Sequence, residues 1–421
     1  MRFPLVLAFF ILLFLLLDYY VFQSIQHVSA AWSSTSRNKL HWTYWSVSIF
    51  SVLVVIFFVV TEKSHPRSSF KFYLFALVIG LFIAKLIAML FFLVDDGRRL
   101  VQWSWFRTQQ LIAPKAETED LSISRSTFLS WLGLAMGGTL YGTLLYGFSN
   151  SYNYQIVRQK LRFSLLPKAL EGLKIVHISD IHSGSFTNKS AVEKGVEKIL
   201  SLQPDIILFT GDLVNNLADE MKDYQSVFSK LKAPLGVYSV LGNHDYGDYV
   251  PWPDDGGVSK KANLDQLKKI QQEMGWNLLL NQHVIINKND ASFALIGIEN
   301  WGAKARFSRY GDLSQAVNGL DPQLFSILMS HDPSHWKAQV VQEYNHINLT
   351  LSGHTHGMQF GVEIPGFRWS PVQYLYPEWA GHYQFQEQQL YVNRGYGFLG
   401  YPGRVGVLPE ITLIELSSKT P

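Results

Sequence analysis

The chain has 421 residues, 48% of them hydrophobic and only 16% charged, with a net charge of +3 and no cysteine. That length admits a full catalytic domain plus a second unit, and so little charge is unusual for a soluble protein. The small net charge, without any Lys/Arg-rich stripe, argues against a nucleic-acid partner; the missing cysteines exclude disulfides, thiolate zinc sites and cysteine nucleophiles.

Apolar residues concentrate at the front. Phe3–Phe22, Trp42–Val60, Phe70–Val94 and Phe128–Phe148 each approach the length of about 20 residues that a bilayer-crossing helix needs, and no such stretch follows Phe148. The first could be read as a signal peptide, since Arg2 precedes an apolar run and Val28-Ser29-Ala30 resembles a cleavage site. The polar interval from Asp18 to His27 is long for that purpose, so a retained helix is expected. In the fourth stretch Gly133, Gly137, Gly138 and Gly142 give two small-xxx-small spacings, which let helix backbones approach closely in lipid. Lys85 lies inside the third stretch, where an ionised group costs at least about 2.5 kcal/mol. It must face the bundle interior or an interface, with Asp18 an available partner, and one such charge is too few for a transporter. The positive-inside rule gives no orientation. Arg37, Lys39, Arg98, Arg99, Arg107, Lys115 and Arg125 fall on one side, and Arg2, Lys63, Arg67, Lys71, Arg158, Lys160 and Arg162 on the other, seven against seven.

Residues 1–150 therefore read as a bundle of about four transmembrane helices, 151–172 as a basic, amphipathic linker and 173–421 as an α/β domain. Strands are predicted at Leu173–Ile178, Ile206–Phe209, Gly236–Val240, Phe293–Ile298, Ser326–Met329 and Ile347–Leu351. Helices are predicted at Ser190–Leu200, Asp223–Leu231, Leu264–Met274 and His335–Tyr344.

Five of these strands run directly into oxygen or imidazole side chains. They lead to Asp180-Ile181-His182, Gly211-Asp212, Gly242-Asn243-His244-Asp245, Ser330-His331-Asp332 and Gly353-His354-Thr355-His356-Gly357. Each alone has an ordinary explanation, such as a turn carboxylate beside a hydrogen-bonded histidine. The H-x-H pair is stronger, because alternate residues of an extended segment point the same way. Five in succession at carboxyl strand ends, where α/β sheets gather ligands, point to one site. Carboxylate, amide oxygen and imidazole together suit Mn, Fe or Zn. A pair of such ions binds phosphate and makes a shared water acidic enough to ionise near neutral pH.

The five blocks resemble those of the calcineurin-like metallophosphoesterase family, in the family's order, with similarity from about Leu173 to Leu416. Asn393-Arg394-Gly395-Tyr396-Gly397, Arg404 and Pro409-Glu410-Ile411 are similar to a bacterial membrane-linked branch of it. The resemblance implies a β-sandwich flanked by helices, with metals at the strand ends. It implies that Asp180, His182 and His356 hold one metal, that Asn243, His331 and His354 hold the other, and that Asp212 bridges them. His244 would donate a proton to the leaving group or hold the phosphate, oriented by Asp245. Two departures stand out. Met358 replaces a glycine of the branch's Gly-His-Thr-His-Gly-Gly-Gln, and Ser124-Arg125-Ser126-Thr127-Phe128-Leu129 resembles a twin-arginine export signal with Ser126 in place of the second arginine. The latter favours an extracytoplasmic catalytic domain on a multi-pass inner-membrane protein.

His177, His283, His335, His346 and His382 read as packed or hydrogen-bonded residues outside the site. Aromatic-rich insertions at Tyr246–Pro253 (Tyr246, Tyr249, Trp252) and Phe367–Tyr383 (Phe367, Trp369, Tyr374, Tyr376, Trp379, Tyr383) either fill the domain's own loops or meet the bilayer interface, where Trp and Tyr prefer to sit. The latter would suit a lipid or lipid-linked phosphate or pyrophosphate. The leading expectation is a membrane-anchored, dinuclear phosphoesterase, against a membrane sensor or scaffold that binds phosphate without turnover.

Overall fold

The computed structural model describes residues 2–61, 69–112, 124–304 and 308–418, which form two compact units, Met1–Tyr146 and Gly147–Pro421. In the first, α1 (Arg2–Val28), α2 (Ser34–Thr61), α3 (Ser69–Ile112) and α4 (Thr127–Gly147) are each long and apolar enough to cross a membrane. Their core joins Leu17, Val21, Phe22 and Ile25 of α1 to Ala88 and Phe92 of α3. The third helix runs well past the expected end at Val94, for 44 residues. At 1.5 Å per residue it is about 66 Å long, over twice the ~30 Å hydrocarbon core. Charges at its middle do not end it, because Asp95–Arg98 (2.9 Å) and Asp96–Arg99 (3.0 Å) pair at i,i+3 along its surface.

Gly133 and Gly137 lie against α3, where added Cβ atoms would come within 2.9 Å of the Ala88 carbonyl and 2.6 Å of the Ala84 carbonyl; Gly138 and Gly142 face open space. One of the two glycine spacings is thus a packing seam. Lys85 forms an ion pair with Asp18, which also accepts from Ser48, while the Tyr44 hydroxyl donates to the Asp18 carbonyl at 2.8 Å. That cluster ties α1, α2 and α3 together. Arg125 donates to Gln23 (3.0 Å) and Ser24 (3.3 Å), and the Ser126 amide donates to Asp95 (3.0 Å), so the export-signal-like segment seats the start of α4. Lys63, Arg67 and Lys115 lie outside the described residues.

The second unit holds fourteen strands among the described residues. The first five are β1 (Gln155–Phe163), β2 (Lys174–Ile178), β3 (Ile206–Phe209), β4 (Val237–Ser239) and β5 (Asn277–Leu278). Then come β6 (Gln282–Lys288), β7 (Ala291–Gly297), β8 (Phe325–Met329), β9 (Leu349–Ser352), β10 (Val362–Ile364) and β11 (Phe367–Trp369). The last three are β12 (Gly381–Phe385), β13 (Gln388–Val392) and β14 (Glu410–Ser418). Two six-stranded sheets result, ordered β1-β14-β2-β3-β4-β5 and β12-β13-β9-β8-β7-β6, with β10 and β11 a separate hairpin. Ile175, Leu208 and Ile414 of the first sheet pack against Leu295, Ile327 and Leu351 of the second in one buried core, which makes the domain an α/β sandwich. Helices cover it. Lys189–Ser201 buries Val192, Gly195, Val196 and Ile199, the i, i+3, i+4, i+7 stripe of an amphipathic helix, and is capped by Asn188.

The expected linker at 151–172 is not a linker. Its residues 155–163 form β1, paired in parallel with β14 along all nine positions. Its alternation of exposed and buried side chains is that of an edge strand, with Leu161 and Phe163 in the core. Because β1 runs parallel to β14, and β14 antiparallel to β2, the start of β1 lies at the same sheet edge as the carboxyl ends of β2 and β3. The chain enters the domain at the edge where the motif residues collect.

Candidate metal centre

Strand ends β2, β3 and β4 of one sheet and β8 and β9 of the other deliver the motif residues to one place. Asp180, His182 and His356 form one group and Asp212, His331 and His354 a second, with ligand atoms in each within 4.8 Å of one another. Oδ2 of Asp212 touches both groups, lying 3.1 Å from Nε2 of His331 and 3.6 Å from Nε2 of His182. Asn243 Oδ1 lies 2.8 Å from Nδ1 of His354, at the second group. Among the described residues, eleven non-glycine positions have positive φ, and five of them are Asp180, His182, Asp212, His354 and His356. This sparsely allowed backbone turns each side chain sharply off its strand end into the centre, and such strain concentrates at functional sites.

The residues fit a pair of cations. Nδ1 of His331 faces the Thr210 carbonyl at 2.7 Å, an acceptor only, so it carries the proton and Nε2 presents a lone pair to the Asp212 carboxylate. A lone pair facing a carboxylate oxygen is repulsive unless a proton or a metal ion lies between them. At the other group, both ring nitrogens of His182 and Nε2 of His356 are buried without a hydrogen-bond partner. The two Nε2 atoms lie 4.0 and 3.2 Å from Asp180 Oδ1, while Nδ1 of His356 accepts from Arg404 at 3.2 Å. Burial would raise the Asp180 and Asp212 carboxyls, yet the imidazoles around them hold both below the ordinary carboxylate range. Burial also presses His182, His354 and His356 below the usual imidazole value, which keeps their lone pairs available. His331 differs: burial opposes its charge, but Asp212 and Asp180 lift it to about 10, so without a cation it takes up a proton.

His244 and Asp245 do not act as the expected pair. The His244 backbone amide donates to Asp212 (2.8 Å), and its Nδ1 faces the Asn215 carbonyl at 2.7 Å. Asp245 is fully buried and accepts the backbone amides of Asp212 (3.0 Å), Leu213 (2.8 Å), Val214 (3.3 Å) and Gly242 (2.9 Å). It splints the two loops that carry Asp212 and Asn243, and the Asn215 carbonyl orients the imidazole instead. Burial, then the Asp212 charge, raises the Asp245 carboxyl to about 7.

The site is completed by residues that motif spacing did not single out. The Tyr376 hydroxyl lies 2.9 Å from Nε2 of His354 and 3.4 Å from the buried Asp332 carboxylate. Tyr249 Oη accepts from Asn243 Nδ2 at 2.9 Å, which turns Oδ1 of that amide toward His354, and the Tyr249 ring packs on His244. The Lys304 ammonium sits 3.9 Å from the centre of the Tyr376 ring. Asp332 belongs to the Ser330-His331-Asp332 block, and Asn215 follows closely after Asp212 and could have been suspected. The tyrosines and Lys304 reach the site only through the fold. The histidines set aside are hydrogen-bonded as expected in four cases: His177 to Thr210 (2.9 Å), His283 to the Ala316 carbonyl (2.6 Å), His335 to Ser330 (2.9 Å) and Gln339 (2.9 Å), and His382 to Gln389 (2.8 Å).

The sequence profile of the family "Calcineurin-like phosphoesterase" matches residues 173–358, and that of "Probable Calcineurin-like phosphoesterase, transmembrane domain" matches residues 1–151. The uncharacterized metallophosphoesterase YkuE of Bacillus subtilis is 30% identical over 304 residues, covering 70% of this chain and 98% of that protein. The chain belongs to the calcineurin-like metallophosphoesterase family. A transmembrane protein with metallophosphoesterase domain from Danio rerio is 28% identical over 369 residues, 86% of this metallophosphoesterase and 76% of the fish protein. The UDP-2,3-diacylglucosamine pyrophosphatase LpxG of Chlamydia trachomatis is 32% identical over 269 residues, 55% of this chain and 81% of LpxG. This metallophosphoesterase is therefore a membrane-linked phosphoric ester hydrolase.

Proposed function

We propose that this metallophosphoesterase hydrolyses a phosphate ester or pyrophosphate carried on a lipid, at two divalent ions of Mn, Fe or Zn type, on the extracytoplasmic side of the membrane. Asp180, His182 and His356 hold one ion, Asn243, His331 and His354 the other, and Asp212 both. When bound, the ions supply a water that ionises near neutral pH and positive charge for the phosphate oxygens. His244 has its Nδ1 proton committed to the Asn215 carbonyl, which leaves Nε2 to take up a proton and pass it to the departing oxygen. Asp245 keeps the Asp212 and Asn243 loops in register through four backbone amides.

The observation that carries this reading is the single oxygen of Asp212 set against both histidine groups. Support for a lipid substrate comes from the four spans and from LpxG, whose name describes a diacylated sugar nucleotide. Support for the side comes from the export-signal-like segment at Ser124–Leu129.

Hydrolysis of bis(p-nitrophenyl) phosphate with added Mn²⁺, by the full chain and by Asp212→Asn, tests the chemistry. The variant is expected to lose activity by at least about a hundredfold, and equal rates would overturn the mechanism. Native lipid pyrophosphates assayed in the same detergent test the substrate. Labelling of Leu165→Cys in intact cells by a membrane-impermeant maleimide tests the side.

A further inference from the structure

The β10–β11 hairpin has its faces inverted. Its cross-strand pairs are Val362↔Trp369, Glu363↔Arg368 and Ile364↔Phe367, and directly opposed residues share a face. The charged pair contacts the domain: half-buried Glu363 takes the Arg394 guanidinium at 2.6 Å, and Arg368, itself exposed, lies over the Tyr383 ring at 5.1 Å. The other face is apolar and outward, with Val362, Ile364 and Phe367 exposed at 43%, 60% and 54%. The Pro365-Gly366 turn, with Gly366 at φ +80°, holds the hairpin tip. Tyr374, which accepts from Trp369, and Leu375 are also exposed and lead along the chain to Tyr376, which touches His354. A patch of this kind is kept in monomeric proteins for something to cover it.

Backbone hydrogen bonds tie the hairpin to the start of the domain. Gly147, the last residue of the membrane-crossing α4, accepts from the Arg404 amide at 2.9 Å. The next residue, Val405, pairs with Gln359 (2.8 Å) and Gly361 (2.9 Å), from which β10 springs. The hairpin is thus laced, within the catalytic domain, to the residue that directly follows Tyr146 in the chain. Trp369 and Tyr374, joined at 3.4 Å, supply the residue types that favour a lipid–water interface.

We propose that the apolar face of this hairpin rests in the lipid surface of the membrane that α4 crosses, and that the metal centre beside it takes its substrate directly from that surface. The first half is independent of the catalytic reading; the second half rests on it. The natural chain has no cysteine, so single labels are clean. Ile364→Cys and, separately, Phe367→Cys carry a fluorophore in the full-length protein in nanodiscs, with or without spin-labelled lipid. Leu165→Cys, 75% exposed at the opposite end of β1 from Gly147, is the reference. Quenching of about half the emission or more is expected at 364 or 367 and little at 165, since such faces sink roughly 5–10 Å into the headgroup boundary. Equal, slight quenching at all three positions would overturn the proposal, and would point to a protein covering the face instead.

Ile364→Asp then tests the second half. Its kcat/KM for vesicle-borne hexadecyl p-nitrophenyl phosphate, relative to bis(p-nitrophenyl) phosphate, is expected to fall about tenfold or more, the worth of one buried aliphatic side chain. An unchanged ratio rejects surface capture. Failure of the wild type to hydrolyse either ester sinks the catalytic reading while leaving the quenching result standing.

Discussion

Tyr376 holds the imidazole of His354 from behind: its hydroxyl lies 2.9 Å from Nε2, while Nδ1 of the same ring faces Asn243 Oδ1 at 2.8 Å. Partners of this kind set the tautomer and angle of a metal-binding histidine. Tyr376→Phe keeps the ring, and with it the Lys304 ammonium stacked 3.9 Å away, and removes only the hydroxyl. Metal affinity or activity is expected to fall about 10–100-fold, as measured by metal titration and initial rates. An unchanged affinity would assign the orienting role to Asp332 alone.

The proposed role of His244 is proton transfer and not metal binding. His244→Asn should retain the full metal content and lose about 10²–10⁴ in kcat. The loss should be larger for an alkyl leaving group than for p-nitrophenolate, which departs without a proton. Equal losses on both esters would move His244 to phosphate binding.

The proton that His331 takes up in the metal-free protein competes with the metal. Its folded value is raised to about 10 against an ordinary 6.5, by Asp212 acting against burial. The stability this proton contributes is fully present below 6.5 and is lost as pH rises through about 10. Metal binding must displace the proton, so affinity should rise with pH across the neutral range, by up to about tenfold per unit. Calorimetry in buffers of different ionisation heat should detect the released proton. His331→Gln should flatten the slope.

Glu410 is buried and bound to Arg394 at 2.5 Å, Tyr391 at 2.6 Å and Thr412 at 2.6 Å. Burial raises its carboxyl, but Arg394 and the hydroxyl donors outweigh that and hold it below the usual value. A depressed carboxyl stabilises the fold above its unfolded value and stops doing so as pH falls through the folded one. Thermal midpoints should therefore drop on acidification below about pH 4.3, and Glu410→Gln should lessen that drop. Arg394→Met, which leaves the carboxylate buried and unpaired, should cost about 3–5 kcal/mol near neutral pH.

In the helical unit, Asp18 and Lys85 neutralise each other beside Ser48. Asp18→Asn should destabilise the bundle more than Asp18→Asn combined with Lys85→Met, by about 0.5–3 kcal/mol. Unfolding of the purified protein in detergent would show this, and additive losses would mean the two groups are not coupled.

Ile206–Phe209 was legible to the residue, and Phe325–Met329 to within one, because continuous aliphatic runs bounded by turn residues have few other homes. The candidate ligands were legible for a related reason: each directly follows such a strand, so local pattern alone places it at a sheet edge. The β1 strand was not, because Gln155–Phe163 alternates charged and apolar residues as any amphipathic joint would. Only its partner β14, some 250 residues away, makes it a strand. The aromatic insertions divide likewise, with Tyr246, Tyr376 and Trp379 buried and Phe367 and Tyr374 exposed.

Sequence by itself therefore determined four apolar spans, an α/β domain and the chemical types gathered at its strand ends, since these depend on composition and on periods of two and 3.6 residues. Tertiary structure decided which oxygen lies between the two histidine groups, that Asn215 rather than Asp245 steadies His244, and that Tyr376 backs His354. It also decided that one hairpin turns its apolar side outward. Those relationships join residues tens to hundreds of positions apart, and no local preference of the chain encodes a distance between them.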